Sequence, residues 1–275
     1  MIRFCTNINN MIQLKKNQLH LMEAFTSAFH DTTSYTVIQG IGGSAWVDNI
    51  EQPRTAITLF GDFCILAGEP VGDGVEEQLM EILDSSNKTW SLFVGESEEW
   101  IKFFRESSMF YESERYRLSA KKDSFDRKLL QGYVDALPSE FMIEPINEKW
   151  YDRVLREEWS ADLCSNFSSK EEYLEHGVGF VITSGDTHVA GVSTYSYYDK
   201  GIEIEIDTKE DYRKKGFATV LGAKMVLACL EKGLYPSWEA ANLISAKVAE
   251  KLGYKFETPY PVFSNVEIHQ LKLGE

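Results

Sequence analysis

The stretch 201–219, GIEIEIDTKEDYRKKGFAT, holds residues whose types and spacing can do chemistry. Its first half alternates strictly, with Ile202, Ile204 and Ile206 on one face of a strand and Glu203, Glu205 and Asp207 on the other. Carboxylates in such a row can take a proton from a charged amine, or they can be no more than the solvated face of a strand. The second half gathers Arg213, Lys214 and Lys215 directly before Gly216, where a helix is expected to begin. Amides of a first helical turn have no internal partners and carry the positive end of the helix dipole. A glycine there lets backbone approach a bulky anion, and the flanking cations add charge, so the turn suits a pyrophosphate. The plain alternative is a charged connection in which Gly216 serves only the turn.

A second glycine motif competes with it. GIGGSA, residues 40–45, matches the dinucleotide fingerprint GxGxxA, with Asp62 where a ribose-binding acid should fall. That fingerprint needs a strand before it and a helix after it. WVDNIEQP follows instead, rich in β-formers and containing a proline, so this is a turn entering a strand. RKKGFA has the required strand before it and the helix after it, and it is not the nucleotide P-loop GxxxxGK[ST]. The bare pattern [QR]xxGx[GA] arises by chance in about one chain of this length in four, so it needs its context.

Those residues must be positioned by the elements around them. A helical period over 11–29 predicts an opening helix. Strands follow at AWVDN, TAITLF and FCILAG, then helix VEEQLMEILDSS, strand TWSLFV, helix SEEWIKFFRESS and strand RYRLSAK. The polar KKDSFDRK and then Pro138 mark the interval in which a domain boundary is expected. Beyond it come strand FMIEPI, helix NEKWYDRVLREEW, and a hairpin of GFVITSG and HVAGVSTYSYYD turning at Ser184-Gly185-Asp186. The helix at 217–232 is apolar almost all round and is therefore a buried one, with Gly233 at its stop. LYPSWEA reads as a short strand interrupted by Pro236, and NLISAKVAEKLGYKF as a helix closed by Gly253 and running into a strand. The halves are loose repeats: FCILAG, helix, TWSLFV, helix, RYRLSAK parallels IEIEIDT, helix, strand, helix, YKF. The first copy has EPVGDG where the second has DYRKKG.

IEIDTKEDYRKKGFATVL resembles the fourth strand, pyrophosphate loop and helix of the GNAT superfamily of acyl-CoA-dependent N-acyltransferases, whose loop reads [QR]xxGx[GA]. The family's second signature is an Asn, a Ser or Ala three on, and a closing hydrophobic-Gly-aromatic. Asn242, Ser245 and Leu252-Gly253-Tyr254 match it, so the likeness covers residues 140–258. YPSWEAANLISAKVAEKLGY is similar to the subgroup that includes zwittermicin A resistance acetyltransferases. The resemblance implies a mixed α/β (α+β) fold, a mostly antiparallel central sheet flanked by helices. It also implies a catalytic domain at 136–275 and a degenerate, motif-free copy at 1–135.

It further implies acetyl-CoA as co-substrate. Arg213 and the amides of Lys214, Lys215, Gly216, Phe217, Ala218 and Thr219 would hold its pyrophosphate. The backbone of Ile206, Asp207 and Thr208 would pair with the pantetheine arm like an added strand, an amide near Thr208 meeting the thioester oxygen. Asn242 and Ser245 would line the pantetheine and the thiol end. Glu205, nearer the acetyl end, and Glu203 are the candidates for the general base. Many relatives carry a tyrosine seven residues after that Asn to protonate the thiolate; Ala249 stands here, so no general acid is assigned. Tyr195, Tyr197 and Tyr198 are read as packing or substrate-wall residues. A catalytically silent acetyl-CoA-binding module is the alternative that Ala249 supports.

Composition bounds the rest. At 275 residues with net charge -15, the chain lacks the basic balance of a nucleic-acid binder. It has no run suited to a membrane span. Cys5, Cys64, Cys164 and Cys229 lie far apart without a CxxC and read as buried thiols, and five scattered histidines give no zinc motif. A cytoplasmic enzyme of a small-molecule amine, with no metal, is the expectation. Between 199 and 211 lie Asp199, Glu203, Glu205, Asp207, Glu210 and Asp211 against Lys200 and Lys209, a field that attracts a cationic acceptor.

Overall fold

The computed structural model describes residues 11–267. The chain divides into two compact units, one ending at Ser113 and taken up again from Pro261, the other running from Glu114 to Tyr260.

In the first unit, β1 (Ile12–Gln13) leads through a 3-10 run, Lys16–Phe25, to α1 (Thr32–Ile38). The expected single helix over 11–29 is thus replaced by a two-residue strand and a 3-10 segment, from which Met22 and Phe25 are buried. Next come β2 (Ser44–Val47), β3 (Thr55–Phe60), β4 (Phe63–Gly68), α2 (Val75–Ser85), β5 (Leu92–Gly95) and α3 (Glu98–Glu106). The strands β1 to β4 pair antiparallel in chain order, and β5 joins β4 in parallel. GIGGSA is a turn entering β2, as the sequence indicates. In α2, Val75, Leu79, Ile82 and Leu83 recur on one buried face, which docks it with Trp46, Ile57, Leu66 and Phe93. Phe263 and Ser264, from the far end of the chain, complete this unit by pairing antiparallel with Phe93 and Leu92.

β6 (Tyr111–Ser119) carries the chain onward. After a 3-10 turn, Lys122–Ser124, come α4 (Arg127–Asp135), β7 (Met142–Pro145), α5 (Glu148–Arg156), a 3-10 turn Ala161–Leu163, and α6 (Lys170–His176). Then β8 (Gly179–Ser184), β9 (Thr187–Tyr198) and β10 (Gly201–Thr208) form an antiparallel meander with β7. A 3-10 turn, Glu210–Tyr212, precedes α7 (Phe217–Glu231), β11 (Tyr235–Ser237), β12 (Glu239–Ala240), α8 (Leu243–Leu252) and β13 (Lys255–Ser264). The five-stranded order is β11-β10-β9-β8-β7, with only β10–β11 parallel.

The division at Ser113 lies earlier than the expected interval around 121–138, for a physical reason. That polar stretch hides Phe125 and Leu130, both buried in the second unit's core, where the Phe125 ring meets Tyr254 edge-on at 5.1 Å. Asp126 caps α4 by accepting from Lys128 and Leu129 N–H, so charged residues serve the helix end while the apolar pair docks it.

Both faces of the five-stranded sheet are covered. Ile202 and Ile204 pack with Leu221, Met225 and Val226 of α7 and with Leu252 of α8. On the other side, Val181 packs with Trp150, Val154, Leu163 and Tyr173. The helix α7 buries residues round most of its circumference, each large aliphatic side chain contributing about 1.5–3 kcal/mol. Among the described residues no helix is long and apolar enough to cross a membrane. Cys64, Cys164 and Cys229 are buried free thiols, and Cys5 lies outside the described residues.

Candidate active site

The site begins where two strands part. β10 and β11 pair only at Gly201–Tyr235, Ile202–Pro236 and Glu203–Ser237. The break falls at Trp238 rather than at Pro236, and the next two residues, Glu239 and Ala240, pair with Arg117 and Tyr116 of β6. From Ile204 onward, among the described residues, no strand therefore pairs with β10 on that side. The Lys209 N–H points to Val189 of β9 (3.0 Å), so by alternation the amides of Ile206 and Thr208 point off the opposite, open edge. Side chains meet them there: Ile206 N–H donates to Glu205 Oε1 (3.2 Å) and Thr208 N–H to Asp207 Oδ1 (2.7 Å). Such an edge fits an extended, amide-bearing arm, whose carbonyls can replace those carboxylates.

Glu203 is buried at the closed end of this opening, where its Oε1 accepts the Glu239 N–H at 2.9 Å. The Glu239 carboxylate is gripped by Arg115 through Nε (2.7 Å) and Nη2 (2.5 Å), and it accepts from the Tyr260 hydroxyl at 2.9 Å. Of the two candidate bases, Glu203 is thus tied to backbone.

Glu205 stands differently. Burial, reinforced by the charges of Asp162 and Asp207 and opposed by Arg115 and the Ile206 N–H, pushes its carboxyl up to about 8. Burial likewise raises Asp207 to about 6, against the pull of the Thr208 N–H and Arg213, with Asp162 adding to the rise. Asp162 belongs to the 3-10 turn Ala161–Leu163. That turn lies close on the sheet because Gly191, the register partner of Asp207, has no side chain: a Cβ there would come 2.3 Å from Leu163 Cδ1. Asn166 fixes the same segment by donating to the Tyr195 carbonyl (3.2 Å), and Glu157 does so through Lys209 (3.0 Å). Tyr195 is the extra residue of a bulge, set between the Glu203–Ser196 and Ile204–Thr194 pairs. Tyr197 packs, its ring stacked on Phe167 and its hydroxyl donating to Glu172.

At the other end of β10 lies the basic turn. Gly216 has φ 83°, no atom within 4 Å of where a Cβ would stand, and it opens α7 without a side-chain cap. Lys214, at φ 64°, shares the left-handed region, and Lys214, Lys215 and Gly216 are all exposed. Exposed cations beside an uncapped helix start fit a pyrophosphate. Arg213 instead donates through Nε to the Thr208 carbonyl (3.2 Å), tying the turn to the strand end. Phe217 sends its ring into the core, while the Thr219 and Val220 amides close on the Gly216 carbonyl, so Lys214 to Ala218 are the amides the turn can present.

Asn242 caps α8, accepting from the amides of Ile244 (3.0 Å) and Ser245 (2.9 Å). Ser245 Oγ accepts from the Trp238 indole at 3.1 Å. Ala249 is fully buried. Sequence reasoning missed Asp162, Arg115 and Trp238, none of which stands near a motif residue in the chain except Trp238, four positions before Asn242.

The first unit repeats these parts in closed form. Gly74, at φ 74°, opens α2 without a side-chain cap, as Gly216 opens α7. There β4 and β5 stay paired through four rungs, and the zip continues with Glu96 N–H on Leu66 O (2.9 Å) and Ser97 Oγ on Gly68 O (2.8 Å). Glu76 and Glu77 fill its first helical turn. That copy has neither an open strand edge nor a cationic helix start.

The family model for GNAT acetyltransferase matches residues 22–263. The uncharacterized N-acetyltransferase YdfB of Bacillus subtilis (strain 168) is 25% identical over 270 residues, covering 90% of this chain and 96% of that one. The crystal structure of a GCN5-related N-acetyltransferase-like protein from Streptococcus suis 89/1591 superposes with a TM-score of 0.80 at 36% identity, covering 90% of this chain and 98% of that one. A tandem GNAT protein from the clavulanic acid biosynthesis pathway shares the fold, with a TM-score of 0.50 at 11% identity over 81% of this chain and 82% of its own.

Proposed function

Because the chain belongs to the GNAT acetyltransferase family and is an acyltransferase, we propose that it moves an acetyl group from acetyl-CoA to the amine of a small cationic acceptor. The observation that carries this reading is the open edge of β10, bounded at one end by the uncapped Gly216 turn and at the other by Glu205.

In this reading the Lys214–Ala218 amides and the two lysines hold the pyrophosphate, with Arg213 keeping the turn on the strand. The amides of Thr208 and Ile206 take the pantetheine arm from the turn inward, and Ile206 N–H, nearer Glu205, is the donor closer to the thioester oxygen, where negative charge develops in the transition state. Glu205 accepts the proton that the amine must lose to attack. A carboxyl near 8 is a far stronger base than an exposed glutamate and still ionises in the physiological range. Asp162 and Asp207 add negative charge on the acceptor's side, which favours an ammonium arriving there. The likeness to the subgroup of zwittermicin A resistance acetyltransferases supports an aminated antibiotic or similar metabolite as acceptor, in the cytoplasm.

Incubation with acetyl-CoA and a panel of amines, following release of free thiol, tests the proposal. Polyamines and aminopolyols are expected to turn over, with kcat/KM falling as salt rises. Turnover confined to neutral or acidic acceptors removes the cationic reading, and acetyl-CoA binding without thiol release on any amine leaves a silent binding module.

A further inference from the structure

The position that usually supplies the thiolate's proton is Ala249, sealed in the core and without a proton to give. A different donor stands at the closed end of the strand opening. Trp238 directly follows Ser237, the last rung of the β10–β11 ladder, while Ile204 and Glu205 are the first residues past that rung on the facing strand. The Trp238 indole N–H donates to Ser245 Oγ at 3.1 Å. An indole nitrogen is a donor only, so the serine oxygen is the acceptor and its own hydrogen must be directed elsewhere. Among the described residues no protein acceptor takes that hydrogen, and Ser245 is only partly buried. Its amide is held by Asn242 in the first turn of α8, where the helix dipole favours negative charge.

The length of the groove fits this position. From Thr208, beside the Gly216 turn, to Glu203 at the ladder's end is about 17 Å of strand at roughly 3.3 Å per residue. A ligand anchored by phosphates at the turn and laid along the edge therefore delivers its far end between Glu205 and the Trp238–Ser245 pair. We propose that Ser245, with its hydroxyl oriented by Trp238, donates a hydrogen bond to the sulfur that leaves as thiolate. The step balances: of the two protons an ammonium loses in becoming an amide, Glu205 takes the one shed before attack, and water takes the other once the nitrogen has bonded to the acetyl carbon. As the C–S bond breaks, its electron pair stays on sulfur, which receives the Ser245 hydrogen bond and then takes a proton from water. Ser245 keeps its own proton. The inference rests on the acyl-transfer reading above.

The test is the ionisation of CoA itself on the protein, read from the ultraviolet absorbance of the thiolate, with no turnover required. With CoA bound, the thiol should ionise at lower pH on the wild type than on Ser245→Ala by about one unit, the scale of one hydrogen bond to a charged group. Ser245→Thr, which keeps the hydroxyl, should restore the wild-type value. In turnover, Ser245→Ala should lower kcat with little change in the KM of acetyl-CoA, and the loss should shrink with an acyl donor whose thiol is more acidic. Equal thiol ionisation in folded wild type and Ser245→Ala, with CoA bound to both, overturns the role of Ser245 and leaves the acyl-transfer reading standing. Failure of the wild type to bind CoA overturns both.

Discussion

Glu203 accepts the Glu239 N–H at 2.9 Å at the point where β10 loses its partner strand. Two carboxylates on one face of one strand are thereby divided. Glu203 serves a backbone amide that has left the ladder, while Glu205, two residues on, faces acids and titrates. The separation follows from topology, because the strand forks between them.

Glu205→Gln should lower kcat by roughly 10²–10⁴-fold, the usual contribution of a general base. The inflection in kcat/KM near pH 8 should vanish with it. Glu203→Gln keeps an acceptor for Glu239 and should leave kcat close to wild type. Glu203→Ala strands that amide and should cost about 1–3 kcal/mol of stability in denaturant titrations. A large kcat loss in Glu203→Gln with none in Glu205→Gln would reverse the assignment.

Stability should also register Glu205. Its carboxyl is raised from an ordinary 4.5 to about 8, so the folded protein binds the proton more tightly than the unfolded chain does. Wild-type stability from this group is fully present below about pH 4.5 and is lost as pH rises toward 8. Glu205→Gln escapes that loss. Its melting temperature should match wild type in acid and exceed it above pH 8, by about 2–4 °C for each kcal/mol regained. A difference of the opposite sign would contradict the partly buried, acid-flanked setting.

The left-handed glycines that open α2 and α7 give a paired test. Gly216→Asp should raise the KM for acetyl-CoA strongly, whereas Gly216→Asn, whose side chain tolerates φ 83° without adding charge, should raise it less. Gly74→Asp should leave that KM unchanged, and calorimetry should count one acetyl-CoA per chain. Two sites per chain, or sensitivity at Gly74, would mean that the first copy binds as well.

Asp162→Asn should raise the acceptor's KM several-fold while sparing that of acetyl-CoA, and it should flatten the salt dependence of kcat/KM. It should also bring the Glu205 inflection down, since one of the charges that raises it is gone. An unmoved inflection would place Asp162 outside the site's field.

What was legible in the sequence is what repeats over short range. The alternation at 202–207, the glycine turn, the buried α7, the hairpin at Gly185 and the paired architecture all declare themselves in windows of a few residues. The fork was not legible, because it depends on Glu239 and Ala240 leaving β10's side for Arg117 and Tyr116, more than a hundred positions away. Asp162 escaped for the same reason: what brings it to the carboxylates is the Gly191 notch on another strand. Phe125 and Leu130 stand among charged neighbours in the chain, which hides that the polar stretch packs into the second unit's core.

The return of the chain to its first unit governs the order in which that unit can be made. Phe263 is fully buried there, stacked on Phe104 at 4.9 Å and paired with Phe93, while Asn265 accepts the Ser91 N–H and donates to the Thr89 carbonyl. During synthesis the early residues emerge long before this last strand does. The second unit needs the chain through Tyr260, and the first, its sheet edge at β5 unfilled, needs residue 263, so neither is complete until nearly the whole chain has been made. The half that is made first therefore spends almost all of synthesis without its last strand.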